Sequence, residues 1–423
     1  MVSWGWGDEW GSGLLKIGCA EVRINRGTLP RLATGLLIVV CGCGGDPGEP
    51  RGGNGRSDAP EAWRLDPVPL MSVGDTEADP LFEVAGVVIT ENHVVIAQES
   101  TGTLRFYTHA GALDTVAGGR GEGPGEFVSL RWMKRAGDHL FAYDGRGHVI
   151  SKFALDGRLQ SSIAVARAED HLGFRILDVF SDGSSLSHAY GFHTPTEPAV
   201  QRLARTLVLS DEDGAFAGRF LDMAGPETWY EPFGNGGSSQ MFRFFGRVTE
   251  ALVLDSVVLV LENDSYDIPV YGRDGVVRDT LRPAVVPAPT PLPIDQVEFI
   301  RESLLDSWDL GDLRGEVEDM LEAMGMPESL PPYGWLSLGY PNRPPVTAAD
   351  GLVWALRYGG IPREGAEPEG PEWFVFEPGV GQIATLSSPD DVVLYDVAGD
   401  LAAVLRRTDL DEEIVELRRI VGR

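Results

Sequence analysis

From Trp63 onward the chain alternates apolar and polar residues in short runs that stop at glycine, asparagine or aspartate. Such runs predict strands, because successive side chains on a strand point to opposite faces. They fall into a recurring unit of four. "LFEVAGVVIT", "HVVIAQES", "TLRFYTHAG" and "LDTVAG" make the first; "VSLRWMKRAG", "HLFAYDGRG", "HVISKFALDG" and "RLQSSIAV" make the second. The third runs from "FRILDVFSDG" to "AFAGRFLDM", the fourth from "FRFFGRVTEALVLD" to "VVRDTLRP", and the fifth from "WLSLGYPNRPPVTAADG" to "QIATLSS". A sixth holds only "VVLYDVAGD", "LAAVLRRTD" and "EIVELRRIVG". Its missing strand can come from "WRLDPVPLMSVG", where Val68, Leu70 and Val73 carry the alternation.

Five full units and a split sixth predict an all-β fold over residues 63–423, a six-bladed β-propeller whose ring is closed by an N-terminal strand. Closure removes the unpaired sheet edges that an open stack would leave. Turns between third and fourth strands, such as "LDGR", "EDGA" and "RDGV", are short and glycine-bearing, as tight hairpins require. On the opposite face the connections lengthen: 165–174, 193–205, 224–241, 283–333 and 359–371. Long loops on a rigid scaffold are where binding concentrates, so this face is expected to carry function unless the loops are tolerated insertions. Residues 290–330 differ in kind. Val297, Ile300, Leu304 and Trp308, then Leu313, Val317, Leu321 and Met324, have helical spacing, and Asp295 with Glu298 resembles a capping box. Two short helices between the fourth and fifth units are expected, acting as a lid or as a plug for the ring centre.

The formal net charge of -29 argues against nucleic acid as a partner, since phosphate binding rests on basic patches. The cysteines, Cys19, Cys41 and Cys43, all precede the repeats. The repeats therefore hold no disulfide framework, cysteine-ligated metal or cysteine nucleophile.

Residues 1–43 read as an address. Arg23, Arg26 and Arg31 form a basic region, and Leu36 to Val40 a short apolar core that suits export better than spanning a bilayer. "VCGC" resembles a bacterial lipobox, which implies lipidation of Cys43. Residues 1–21, with their tryptophans and acids, do not look like the start of a signal, so translation is expected to begin near Val22 or Leu29. Residues 44–62 lack apolar periodicity and read as a flexible tether.

"GRGEGPGEF", Gly119 to Phe127, followed by "HLFAYDGRGHVISKFALDG", resembles the NHL-type repeat and the six-bladed propeller lipoproteins of bacteria. Their pattern is a glycine-rich linker ending in phenylalanine, a strand ending in Asp and a strand ending in Asp-Gly. The sharp motif is confined to the second unit; "IAQES", "VLENDS" and "WALRYGG" lack the Asp of "FAYD". No residue matches a catalytic motif of such families, so no enzymatic role carries over. The linker is not a dinucleotide loop: its glycine spacing is wrong, Pro124 lacks an N–H, Glu122 and Glu126 repel phosphate, and a strand follows.

Candidate ligand-binding residues are Arg120 in the linker, Tyr190 and His193 in the third unit, Trp229 and Tyr230 in "ETWYEPFGNGG", and Arg357 and Tyr358 at a strand end. Aromatic platforms with arginine suit sugar or peptide recognition; blade-to-blade packing is the other use of such side chains. His188 and His193 could serve a metal only with further ligands. The expected function is therefore a monomeric binding or scaffold propeller at a bacterial envelope, recognising a protein, peptide or glycan. It would meet the membrane through its lipid alone and need no cofactor. A metal-dependent hydrolase or lyase is the alternative, and would need convergent acids on the innermost strands, where Asp178 is one of few candidates.

Overall fold

The structure is a computed structural model that describes residues 59–76, 79–167, 173–191, 195–232, 238–292, 297–298, 301–302, 305, 314–334, 346–357, 371–388, 392–408, 410 and 412–423. It is all-β, built of antiparallel sheets with one short helix among the described residues. Two N-terminal strands, β1 (Glu61–Leu65) and β2 (Met71–Val73), precede the first sheet. That sheet holds β3 (Val84–Ile89), β4 (His93–Gln98), β5 (Thr103–Thr108) and β6 (Leu113–Gly118). The second holds β7 (Leu130–Ala136), β8 (His139–Asp144), β9 (Val149–Ala154) and β10 (Leu159–Ala164). In the third, β11 (Gly173–Val179) and β12 (Ser185–Tyr190) are followed by β14 (Arg205–Ser210) and β15 (Phe216–Met223), because β13 (Ala199–Gln201) leaves for another sheet. There it pairs with the hairpin of β16 (Thr228–Pro232) and β17 (Ser238–Phe242).

The fourth sheet is β18 (Glu250–Leu254), β19 (Val257–Leu261), β20 (Ile268–Gly272) and β21 (Val277–Leu281). Helix α1 (Arg314–Met324) separates it from β22 (Val346–Ala349), β23 (Leu352–Leu356), β24 (Glu372–Glu377) and β25 (Gly381–Ser387). Last come β26 (Val393–Ala398), β27 (Leu401–Arg407) and β28 (Glu413–Val421).

Burial follows from stacking. Central strands such as β4, β8 and β23 are buried along nearly their whole length, while β6, β10 and β21 at the outer edges are largely exposed. A strand covered on both faces must read as a continuous apolar run, and each buried Val, Leu, Ile or Phe contributes about 1.5–3 kcal/mol. Core clusters lie between successive sheets. Phe106, Phe127, Leu130 and Phe153 join the first to the second; Phe141, Tyr143 and Ile176 the second to the third. Leu207, Ala251 and Val253 join the third to the fourth, Leu259, Val353 and Phe376 the fourth to the fifth, and Trp354, Val375 and Val404 the fifth to the sixth. Val87, Ile96, Tyr395 and Val415 join the last sheet to the first.

The N-terminal segment supplies strands, with a register different from that expected. Val68 and Leu70 are exposed, whereas Met71 and Val73 are buried and β2 pairs antiparallel with β28. A second strand, β1, starts at Glu61, inside the expected tether, and runs parallel to β25 and antiparallel to β28. The stretch 224–241, expected as a loop, is largely the β16–β17 hairpin. Its alternation is short and broken by glycines, which hid it. The first strand of the fifth sheet is β22; "WLSLGY" lies outside the described residues. Of the two expected helices, α1 is described in full, and Leu321 and Met324 are buried as their spacing requires. Asp295 of the expected capping box, and residues 1–58, lie outside the described residues.

The glycine-rich linker runs from the outer strand of the first sheet to β7. Phe127 is 1% exposed between the two sheets. The Phe127 N–H donates to the Gly119 carbonyl over 2.8 Å, and the Gly123 N–H donates to Oε2 of Glu126 over 2.9 Å. A Cβ on Gly121 would lie 2.1 Å from that carboxylate oxygen, so a glycine there leaves room for it. The loop does cradle an anion, and the anion is its own. Asp144, the Asp of "FAYD", accepts from the N–H groups of Val128, Ser129, Arg146 and Gly147, tying linker and turn together.

Candidate functional site

Strand pairing places a charged cluster at the long-loop end of the interface between the third and fourth sheets. Gly173 pairs with Tyr190 and Arg175 with His188 across β11 and β12. His188 in turn pairs with Leu207 on β14, and Arg205 lies two residues before Leu207. Paired residues and residues two apart share a sheet face. Arg175, His188, Tyr190 and Arg205 therefore share the face whose deeper part, at Leu207, packs on Ala251 and Val253 of the fourth sheet. Glu250 opens β18 on the other side. The interface is apolar at depth and ionic at its mouth.

Local packing fixes each side chain. A Cβ on Gly173 would lie 2.1 Å from the Tyr190 ring, so the missing side chain lets that ring lie over β11. His188 meets Tyr190 edge-on, with ring centres 5.4 Å apart, and the Arg205 guanidinium lies 5.8 Å from the centre of the Tyr190 ring. One guanidinium nitrogen of Arg205 donates to Nδ1 of His188 at 3.4 Å. Burial, reinforced by Arg205 and Arg175, holds the His188 imidazole well below its ordinary pKa. It is therefore neutral, with a lone pair free to accept. Burial pushes the Glu250 carboxyl up, against the pull of Arg175 and Arg205, and lowers the Arg205 guanidinium. Burial likewise raises the Tyr230 phenol, with the Arg205 charge opposing.

The sheet of β13, β16 and β17 adjoins this mouth, where the Arg205 charge reaches Tyr230, and is tied down by ions. Glu227, 6% exposed, forms ion pairs with Arg243 and Arg247. Arg202 donates to the carbonyls of Gly225 and Glu262 and pairs with Asp264 at 2.6 Å. Arg243 also donates to the Gly325 carbonyl just past α1, over 3.2 Å. Glu227 is the buried member of these pairs, so its loss would leave Arg243 and Arg247 unpaired and loosen the small sheet beside the mouth.

The candidate residues are distributed unevenly. Tyr190 lies beside Arg205, whose charge also reaches Tyr230. Trp229 and Tyr230 are not exposed platforms on a glycine-rich loop; they sit in β16 and are 3% and 7% exposed, because the stretch is a strand. Arg120, in the first linker, donates to the Ser100 carbonyl at 3.0 Å. Arg357 belongs to the next interface, paired with Glu372 at 2.9 Å and bridged by backbone to Tyr333. Cys43, His193 and Tyr358 lie outside the described residues. Sequence reasoning missed Arg175, Arg205 and Glu250. Their signal was a charge at or near the start of an apolar strand, in "FRILDV", "RTLVLS" and "EALVL".

Asp178, the candidate acid of the innermost strands, is occupied. It pairs with Lys134 at 2.8 Å and accepts from the N–H groups of Val179 and Val253, stapling β11 to β18. Asp396, in the similar "LYDV" of β26, accepts from the Ile89 N–H at 2.8 Å and so staples the last sheet to the first. Among the described residues no group of three or more His, Cys, Asp or Glu side chains is placed to hold a metal ion. No described helix is long and apolar enough to cross a membrane.

No family profile matches the chain, and no curated protein matches it either. Solved structures align with it at low identity. A Bacteroides fragilis NCTC 9343 protein described as exported is 10% identical, with a TM-score of 0.44 over 87% of this chain and 97% of that one. A member of the DUF4221 family from Bacteroides vulgatus ATCC 8482 is 8% identical, with a TM-score of 0.44 over 86% and 100%. Virginiamycin B lyase from Staphylococcus aureus is 9% identical, with a TM-score of 0.34 over 84% and 99%.

Proposed function

We propose that the chain is a six-bladed, NHL-like β-propeller, closed by β2 on the sixth blade, and that it works as a monomeric binding or scaffold protein. It is held at a bacterial cell envelope by a lipid on Cys43. Its ligand, a protein, peptide or glycan, is met on the long-loop face, at the mouth between the third and fourth sheets.

One observation carries this reading. Only there, among the described residues, does a second small sheet bring a tyrosine, Tyr230, within reach of a guanidinium that already lies beside another, Tyr190. Unlike the stapling acids Asp178 and Asp396, Arg205 and Glu250 are held against burial without an ion pair or a backbone tie between them, at a cost that apolar packing would avoid. The test is hydrogen exchange on the purified protein, with and without envelope glycans and peptides. Protection is expected in β12, β14 and β16; ligand protection confined to the opposite face would overturn the assignment.

A further inference from the structure

Other sheet interfaces end in a paired guanidinium. Arg131 lies 3.6 Å from Glu99, Arg357 2.9 Å from Glu372, and Arg407 2.7 Å from Glu413. The interface between the third and fourth sheets differs. Two guanidiniums, Arg175 and Arg205, face a single carboxylate, Glu250, and neither is ion-paired among the described residues. Arg175 is exposed and makes no hydrogen bond there, while the one side-chain hydrogen bond of Arg205 goes to a neutral imidazole. In a chain of net charge -29, the described residues of this mouth carry an excess positive charge with donors to spare.

The geometry points to a carboxylate-binding site, in which Arg175 and Arg205 hold one carboxylate of the ligand beside the rings of Tyr190 and Tyr230. This rests on the reading of that mouth as the binding face. Guanidinium forks match carboxylates with two parallel N–H···O bonds. A monoanion neutralises the cluster of two cations and one acid, whereas a dianion such as phosphate overshoots it next to Glu250. The tyrosine rings offer apolar faces to whatever carries the carboxylate. Either a uronic acid or a peptide C-terminus presents that group.

Titration calorimetry on the wild-type protein with glucuronate, galacturonate and N-acetylated dipeptides tests it, with glucose, dipeptide amides and inorganic phosphate alongside. The acids are expected to bind and their neutral counterparts not to, and the better acid identifies the source. Arg175→Ala, at an exposed position, is expected to weaken binding by about tenfold or more, the worth of a charge-assisted hydrogen bond pair. Arg419→Ala, at an exposed pair with Asp400 in the last sheet, should change nothing. Equal binding by Arg175→Ala, or by the neutral counterparts, overturns the carboxylate site while leaving a binding face in place. No heat with any acid also overturns it, and the exchange experiment above then decides the binding face separately.

Discussion

Arg423, the last residue, lies with its guanidinium 5.5 Å from the centre of the Trp63 ring near the opposite end of the described chain. It also lies 5.7 Å from Trp354, pairs with Asp350 at 2.6 Å and donates to the Gly399 carbonyl. Arg423→Ala should cost about 1–2 kcal/mol, from two cation–π contacts and one partly buried ion pair. Trp63→Ala should cost about 3–5 kcal/mol. A chain beginning at Asp75 loses β1 and β2 together and is expected to lose its cooperative transition in urea. Equal midpoints for the shortened and full chains would show that the N-terminal strands do not complete the fold.

Burial pushes the Asp396 carboxyl from 3.8 up to about 7. Between those values the unfolded chain has released the proton and the folded chain has not. Stability should therefore fall as pH rises through this window, by at most about 1.4 kcal/mol per pH unit for this group. Asn at 396 keeps an acceptor for the Ile89 N–H without the charge. Asp396→Asn is expected to be more stable than wild type at pH 8 and to lose the advantage at pH 4, as read from urea midpoints.

His188 shifts the other way. Its imidazole stays neutral in the folded protein while the unfolded chain takes up a proton below the ordinary value of 6.5. That contribution is lost as pH falls. Histidine ring NMR should show no titration of His188 down to at least pH 5, and a ring that titrates normally would contradict the buried pairing with Arg205.

Gly173→Ala places a Cβ against the Tyr190 ring. The ring must leave its seat over β11, at a cost of about 1–3 kcal/mol from overpacking. Carboxylate affinity should fall with it, although no charge has changed. An unaltered Tyr190 environment by fluorescence or NMR would contradict the packing described.

Asp144→Ala leaves four backbone N–H groups of the linker and its turn without their acceptor. A loss of about 2–4 kcal/mol is expected, since unsatisfied buried donors cost about 1–3 kcal/mol each and water reaches some of them. Asp144→Asn should recover part of it.

The sheets were legible in the sequence because central strands, covered on both faces, must be apolar throughout, as in "HLFAY" and "LVWAL". Phe127 stood out in sequence as the aromatic that ends the glycine-rich linker, and in the structure it is buried between the first two sheets. The small sheet of β13, β16 and β17 was not legible, since β13 has three residues and β16 is followed by glycines that suggest a loop. The candidate site was half legible. Tyr190 and Tyr230 stood out by type, but Arg205 and Glu250 come from strands some 40 residues apart, and only pairing and stacking bring them to one mouth. Val68 and Leu70 misled because two apolar residues spaced by one can also lie on a bend facing solvent.

Strand β1 also has a mechanical meaning. It is gripped on both edges, by β25 in parallel and by β28 in antiparallel pairing. A pull on the N-terminal end along the strand would shear several backbone hydrogen bonds at once instead of opening them one by one. The strain would spread into the fifth and sixth sheets together. If the proposed lipid on Cys43 moors the protein, the first described strand would then act as a rivet, leaving the mouth between the third and fourth sheets outside the line of force.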